Sequence, residues 1–228
     1  MSLVYQNYEI LNQIGVGSFS VVYKARRKSD GLIVAIKMIE AQTENEVNLI
    51  LNEVEVLKHL MGGHQSIPKI YDFLNQGSIF FIIMEYLDGY ITLLDWTNTY
   101  APLIFNRSQN NDDIQGLIKT REQYISSIFT QILSSINYLH QKSVVHRDLK
   151  LENIMIDQKT FSIKLIDFGF SLFSKSMPRS TICGSFEYLA PEILQNMIEK
   201  RDTNADDENL PYSIQSEVWA LGIILYGM

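Results

Sequence analysis

His146-Arg147-Asp148-Leu149-Lys150-Leu151-Glu152-Asn153, followed by Asp167-Phe168-Gly169, decides the reading of this 228-residue chain. The stretch puts two carboxylates, an ammonium and a carboxamide on loops between an apolar helical pattern and an apolar β-hairpin pattern. A carboxylate can accept a hydroxyl proton, and an ammonium can meet phosphate oxygens. An amide and a second carboxylate can hold magnesium. The set suits phosphoryl transfer.

Upstream of that stretch, Tyr124, Ile125, Ile128, Phe129, Ile132, Leu133, Ile136, Leu139 and His140 recur at helical spacing. Their wide apolar face is that of a helix buried in a core. The first third is different, alternating short β-like runs with turns: Tyr8 to Ile14, Val21 to Arg27, Leu32 to Ile39, Lys69 to Leu74 and Ser78 to Glu85. Over Glu44 to Met61 the period changes, and Val47, Ile50, Leu51, Val54, Leu57 and Leu60 predict a helix closed by Gly62-Gly63. Five strands and one helix are therefore expected before Tyr86. Gly15-Val16-Gly17 lies in the first turn, where the backbone can approach phosphates. Alone it is equally a simple hairpin turn, and no Gly-Lys-Ser/Thr follows to make a Walker loop. Lys37 ends the apolar run Val34-Ala35-Ile36, so an inward ammonium there needs a partner.

The formal net charge of −7 argues against a nucleic-acid scaffold and favours basic protein partners. A single cysteine, Cys183, excludes an internal disulfide and a multi-cysteine zinc site, and fits the cytoplasm or nucleus. No apolar run approaches the ~18 residues of a membrane span. Met1 to Tyr5 has neither a basic n-region nor the glycine needed for myristoylation. A soluble intracellular protein is expected, with no nucleic-acid or membrane partner. The polar stretches Asn106 to Gln115 and Met197 to Asn209 read as exposed loops.

Together the His146–Asn153 loop, Asp167-Phe168-Gly169, Gly15-x-Gly17 and Val34-Ala35-Ile36-Lys37 resemble the motif set of eukaryotic protein kinases, from about Tyr8 onward. The resemblance implies an α+β, bilobal fold: a small β-rich N-lobe over 1–85 with five strands and one main helix, and a mainly helical C-lobe over 86–228. It implies ATP and Mg2+, with Asp148 as base or hydroxyl-orienting group and Lys150 stabilising the transferring γ-phosphoryl. Asn153 and Asp167 would be the Mg2+ ligands. Lys37, paired with Glu53, would hold the α- and β-phosphates. Ile14, Gly15, Gly17, Val22, Ala35, Met84, Glu85, Leu87 and Met155 would line the nucleotide site, with Met84 as gatekeeper before the hinge. Leu57, Ile70, His146 and Phe168 would stack as an internal column, His146 serving as scaffold rather than proton carrier. Asp88 and Asp95 are both candidates for the ribose.

Lys150 and Ser185 resemble serine/threonine kinases in particular. Glu152 sits where basophilic kinases read a substrate arginine, so a protein substrate with basic residues near its target Ser/Thr is implied. Arg179 to Glu192 resembles the activation segment of cyclic-nucleotide- and calmodulin-dependent kinases. That places an activating phosphothreonine at Thr181, anchored by Arg147 and added by an upstream kinase. Relatives supply a lysine just after Asp-Phe-Gly, whereas Phe170-Ser171-Leu172 has none; Lys175 and Arg179 are the available substitutes.

Further departures bear on activity. Ser20 stands where a third glycine is usual. Glu217 replaces the aspartate that accepts backbone hydrogen bonds from the His-Arg-Asp turn, and its extra methylene predicts a shifted or looser loop. Val218 to Met228 is an apolar helical pattern without a polar face. A C-lobe lacking its last helices, Glu192 without its partner, and marginal stability are thus expected. These features motivate an alternative: a truncated, pseudokinase-like nucleotide-binding or scaffold module without turnover.

Overall fold

The computed structural model describes residues 3–17, 20–106, 114–174, 183–195 and 214–228. The chain divides into two compact units, Met1–Asp88 and Gly89–Met228. Thr181, Lys175 and Arg179, and nearly all of both polar stretches, lie outside the described residues.

The first unit runs α1 (Leu3–Asn7), β1 (Tyr8–Val16), β2 (Ser20–Arg27), β3 (Ile33–Glu40), α2 (Glu44–Leu60), β4 (Ile70–Gln76) and β5 (Ile79–Glu85). Its strands form one antiparallel sheet in the order β1-β2-β3-β5-β4. Alternation along β3 sends Val34 and Ile36 to one face and Ala35 and Lys37 to the other. Val34 and Ile36 join Tyr8, Ala25, Phe81 and Ile83 in a core. That core also takes in Val4, only 1% exposed, from α1. The expectation of a single helix before Tyr86 is therefore corrected to two. Five residues are too few for a helical period to register, and no acidic residue marks the first turn of α1.

On α2, Thr43 and Glu46 form a capping box, and the inward side carries Ile50, Glu53, Val54, Val56, Leu57 and Leu60. After the helix the chain reverses at Gly62, whose φ of 78° favours glycine. β1 extends past Ile14 to Val16, taking Gly15 into the sheet opposite Val22, with register shifts between Ile10 and Asn12 and between Gln13 and Gly15.

The second unit contains β6 (Tyr90–Thr92), α3 (Leu93–Asn106), α4 (Ile114–Gln141), β7 (Val144–Val145), β8 (Ile154–Asp157), β9 (Ile163–Leu165), β10 (Leu172–Phe173) and α5 (Ile214–Gly227). β6, β8 and β9 form one small sheet, and β7 pairs with β10 in another. The β-sheet unit and the mainly helical unit match the expected α+β architecture. The apolar stripe of α4 is narrower than its sequence suggests: Ile128, Ile132, Ile136 and Leu139 are buried, while Tyr124 and Leu133 are exposed.

α5 buries Ser216, Glu217, Ala220, Leu221 and Ile224 but exposes Val218, Trp219, Leu225 and Tyr226. Glu192 is not without a partner, since Ser216 Oγ donates to its Oε1 at 3.3 Å. Among the described residues, no helix is long and apolar enough to cross a membrane.

Candidate active site

In the first unit, the β3 alternation aims Lys37 away from the Val34–Ile36 core. Its Nζ lies 2.7 and 3.0 Å from the two carboxylate oxygens of Glu53 on α2. Glu53 is buried and Glu55, two residues on, is exposed. The ammonium can be held off solvent there because a carboxylate meets it. Ala35 is buried on the same sheet face as Lys37 and lies opposite Met84 in register; Val22 lies opposite Lys37 and Gly15. Met84, Glu85 and Leu87 are half-buried, and Glu85 is fastened to β4's approach by Lys69 N donating to its Oε2. Ile14 is 44% exposed.

Ser20 closes the glycine turn: its carbonyl accepts from Gly17 N at 2.8 Å. A Cβ on Gly17 would come within 2.9 Å of Ser20 Oγ, so the hydroxyl occupies the space that a side chain at 17 would need. Ser18 and Phe19, between them, lie outside the described residues.

In the second unit, the loop from His146 to Asn153 leaves β7 and enters a 3-10 turn, Leu151–Asn153, before β8. Asp148 is 4% exposed. Its Oδ1 accepts from Ser185 N at 2.9 Å and Ser185 Oγ at 3.0 Å, and its Oδ2 from Asn153 Nδ2 at 2.8 Å. Lys150 Nζ approaches Asp148 Oδ2 at 2.9 Å and donates to Ser185 Oγ at 2.7 Å. The loop thus brings Asp148, Lys150, Asn153 and Ser185 into one charge-assisted network. Asn153 Nδ2 also donates to the Asp148 carbonyl at 2.8 Å, which commits both amide hydrogens and leaves Oδ1 as the atom that could meet a metal ion.

Asp167 follows β9, where Ile166 N donates to Asn153 O at 2.9 Å and ties the two segments together. Asp167 is exposed and has a φ of 59°, in the left-handed region that non-glycine residues seldom adopt. Among the described residues, no three His, Cys, Asp or Glu cluster as a protein-only metal cage. One amide oxygen and one carboxylate fit magnesium, which commonly takes few protein oxygens and completes its shell with phosphates and water. Met155 is half-buried on β8 opposite Lys164 and Thr92.

Of the two ribose candidates, Asp88 is exposed, and Asp95 Oδ2 accepts from Thr92 Oγ1 at 2.6 Å in the first turn of α3. His146 and Phe168 pack with ring centroids 5.0 Å apart, both fully buried; in the other unit Leu57 and Ile70 are buried. His146 Nε2 faces Ile166 O at 3.2 Å, and its Nδ1 accepts from Asp148 N at 3.4 Å, so both ring nitrogens face backbone groups.

The support beneath the loop is tighter than the sequence suggested. Glu217 Oε1 accepts from both His146 N, at 2.7 Å, and Arg147 N, at 2.9 Å. The longer side chain reaches both amides, so the expected looser loop is not found. Arg147 has a φ of 66°, which helps turn successive N–H groups to one side, a concavity suited to an anion. Its Nε donates to Phe170 O at 2.6 Å. Two supporting residues escaped sequence reading: His140, whose Nε2 is 2.6 Å from Glu217 Oε2, and Ser171, which donates to His146 O at 3.2 Å. Each is remote in sequence from its partner, and neither belongs to a motif. Burial raises the thiol pKa of Cys183, in the segment leading to Ser185, with Asp148 adding to the rise and Arg147 opposing it.

The protein kinase domain family matches residues 8–228, and the chain belongs to that family. It is 32% identical, over 98% of its length, to "Probable serine/threonine-protein kinase fhkA" of Dictyostelium discoideum, and spans 38% of that protein. It is 36% identical over 97% of its length to "Probable serine/threonine-protein kinase KIN1 homolog" of Enterocytozoon bieneusi, spanning 32% of it. Over 96% of its length it is 27% identical to "Aurora kinase C" of Mus musculus, spanning 68% of that protein. The chain thus covers about a third of the first two relatives.

Proposed function

We propose that the chain is a serine/threonine protein kinase domain that transfers the γ-phosphoryl group of ATP to protein hydroxyls. The observation that carries this reading is the Asp148 carboxylate, held at once by Lys150, Asn153 and Ser185. A carboxylate fixed in this way orients an incoming hydroxyl and accepts its proton. Lys150, at its side, offsets charge on the transferring phosphoryl oxygens, and the Lys37–Glu53 pair presents an ammonium for the α- and β-phosphates. When bound, magnesium neutralises phosphate charge, and Asn153 Oδ1 with the Asp167 carboxylate would hold it. For the nucleotide, the proposed contacts are Ile14, Gly15, Gly17, Val22, Ala35, Met84, Glu85 and Leu87 in the first unit, and Met155 in the second.

The chemistry is mainly positioning, so a backbone turn locked by Glu217 supports turnover over a binding-only module. Exposed Glu152 supports a preference for substrates with basic residues near the target. The Arg179–Glu192 motif supports kinship with the cyclic-nucleotide- and calmodulin-dependent groups and activation through Thr181. Buried Arg147 supplies the cation for that phosphate. A single cysteine supports a cytoplasmic or nuclear setting.

Incubation with magnesium, labelled ATP and a mixed protein substrate tests the reading. Acid hydrolysis should release phosphoserine or phosphothreonine; phosphotyrosine alone would overturn the assignment. Thr181→Ala should lower the rate after treatment with an activating kinase, and an unchanged rate would remove Thr181 from the account.

A further inference from the structure

Antiparallel partners share a face of their sheet, so the face that carries Ala35 and Lys37 also carries Val22, opposite Lys37, and Lys24, opposite Ala35. Lys24 is half-buried, and its Nζ stands 4.3 Å from the ring centroid of Tyr86, itself half-buried. That contact crosses a strand. β3 lies between β2 and β5, which sets β2 roughly 10 Å from the strand that leads into Tyr86. Ala35, the β3 residue opposite both Lys24 and Met84, offers only a methyl group, so a long stem can pass over it. β5 ends at Glu85, paired with Val34, and Tyr86 and Leu87 lie beyond the last pair of that ladder. The ammonium therefore braces the chain where strand pairing stops.

We infer that Lys24 is a positioning residue for nucleotide binding: seated on the Tyr86 ring, it holds the Glu85–Leu87 segment against the sheet face that carries Val22 and Ala35. The inference rests on the kinase reading above, in which Glu85 and Leu87 meet the nucleotide. An ammonium over a tyrosine face is attracted by the ring's quadrupole. At a half-buried site one such contact corresponds to about threefold to tenfold in an equilibrium constant. Tyr86 stands between the two proposed contacts, so one restraint acts on both neighbours. A segment already held in its binding conformation loses less freedom when a ligand arrives, and the ligand binds more tightly. The reacting groups Asp148 and Lys150 lie in the other unit, so the brace bears on KM and leaves kcat as it is.

The test is a double-mutant cycle on the full chain: Lys24→Met, which keeps a stem without the charge, Tyr86→Leu, which removes the ring, and the two combined. Calorimetry gives Kd for MgATP and for adenosine, and peptide phosphorylation gives kcat and KM. Each single variant should raise Kd for both ligands, and KM for ATP, about threefold to tenfold, with kcat within about twofold of wild type. The combined variant should lose no more than the weaker-binding single one. Lys24→Arg, which returns a cation to the ring, should bind within about twofold of wild type. Adenosine carries no phosphate, so a loss confined to ATP would mean that Lys24 acts on phosphates by its charge, and would overturn the inference. Losses that multiply in the combined variant, unchanged affinity in Lys24→Met, or no recovery in Lys24→Arg would overturn it too. A readout that needs no ligand is amide hydrogen exchange at Tyr86 and Leu87, which should quicken in Lys24→Met and slow again in Lys24→Arg. Should Tyr86→Leu fail to fold, Lys24→Met against Lys24→Arg decides by the same affinities. If wild type transfers no phosphate, the kinase reading fails, while exchange at Tyr86 and Leu87 still decides whether Lys24 holds the segment.

Discussion

Lys37 and Glu53 show what a single pair contributes to this chain. Their side chains are 13% and 5% exposed, and two short contacts join them. Removing one partner deprives the other buried charge of both short contacts, at a cost of ~3 kcal/mol. Glu53→Gln should therefore lower the urea midpoint of the first unit and cut kcat/KM at least tenfold, as read by peptide phosphorylation; wild-type values for both would remove the pair from the account. The sequence made Lys37 legible because an ammonium at the end of an apolar strand is unusual. Glu53 was distinguishable from Glu55 because helical spacing puts the two on different sides. His140 was not legible as a support, since its partner is 77 positions away and its place in the α4 pattern reads as ordinary packing. The left-handed φ values at Arg147 and Asp167 were equally hidden, because neither an arginine nor an aspartate requires such a backbone.

At the scale of elements, α2 depends on its first turn. Thr43 Oγ1 accepts from Glu46 N, and the Glu46 carboxylate accepts from Gln42 N and Thr43 N, which hold its pKa below the ordinary value. Thr43→Ala should cost about 1 kcal/mol in a urea titration. Because the same helix carries Glu53, the variant should also lower ATP turnover modestly.

The β2–β3 turn gives a pH-dependent case. Arg27, and then Leu32 N, hold the Asp30 carboxyl at about 2 against an ordinary 3.8. A depressed folded pKa means the stabilisation is complete above the ordinary value and is lost as pH falls through about 2. Melting temperatures of wild type and Asp30→Asn should thus differ at pH 6 and converge between pH 4 and 2. The difference is small, because the pair is solvent-screened. A gap that widened on acidification would contradict the assignment. Strand and helix order were readable from periodicity, including the switch at Glu44. α1 was not, being shorter than two helical turns, and Val4 enters the core without any motif to announce it. The apolar run of α5 signalled burial on all sides, yet Trp219 and Tyr226 are exposed among the described residues.

At the scale of the whole molecule, the chemistry is divided between two units: Lys37 and Glu53 in Met1–Asp88, and Asp148, Lys150, Asn153 and Asp167 in Gly89–Met228. A ligand that binds the folded chain alone stabilises it by mass action, about 2.7 kcal/mol at a hundredfold excess over Kd. ATP with magnesium should therefore raise the melting temperature, and chelating the metal should remove most of that rise. Phosphate transfer itself is the decisive measurement: labelled phosphate moved from ATP to a protein hydroxyl by wild type and by Asp148→Asn, compared at equal MgATP occupancy. The account predicts transfer by wild type and a loss of about a hundredfold or more in the variant, with nucleotide binding retained. Equal transfer by both chains, or MgATP binding by wild type with no transfer, would contradict it.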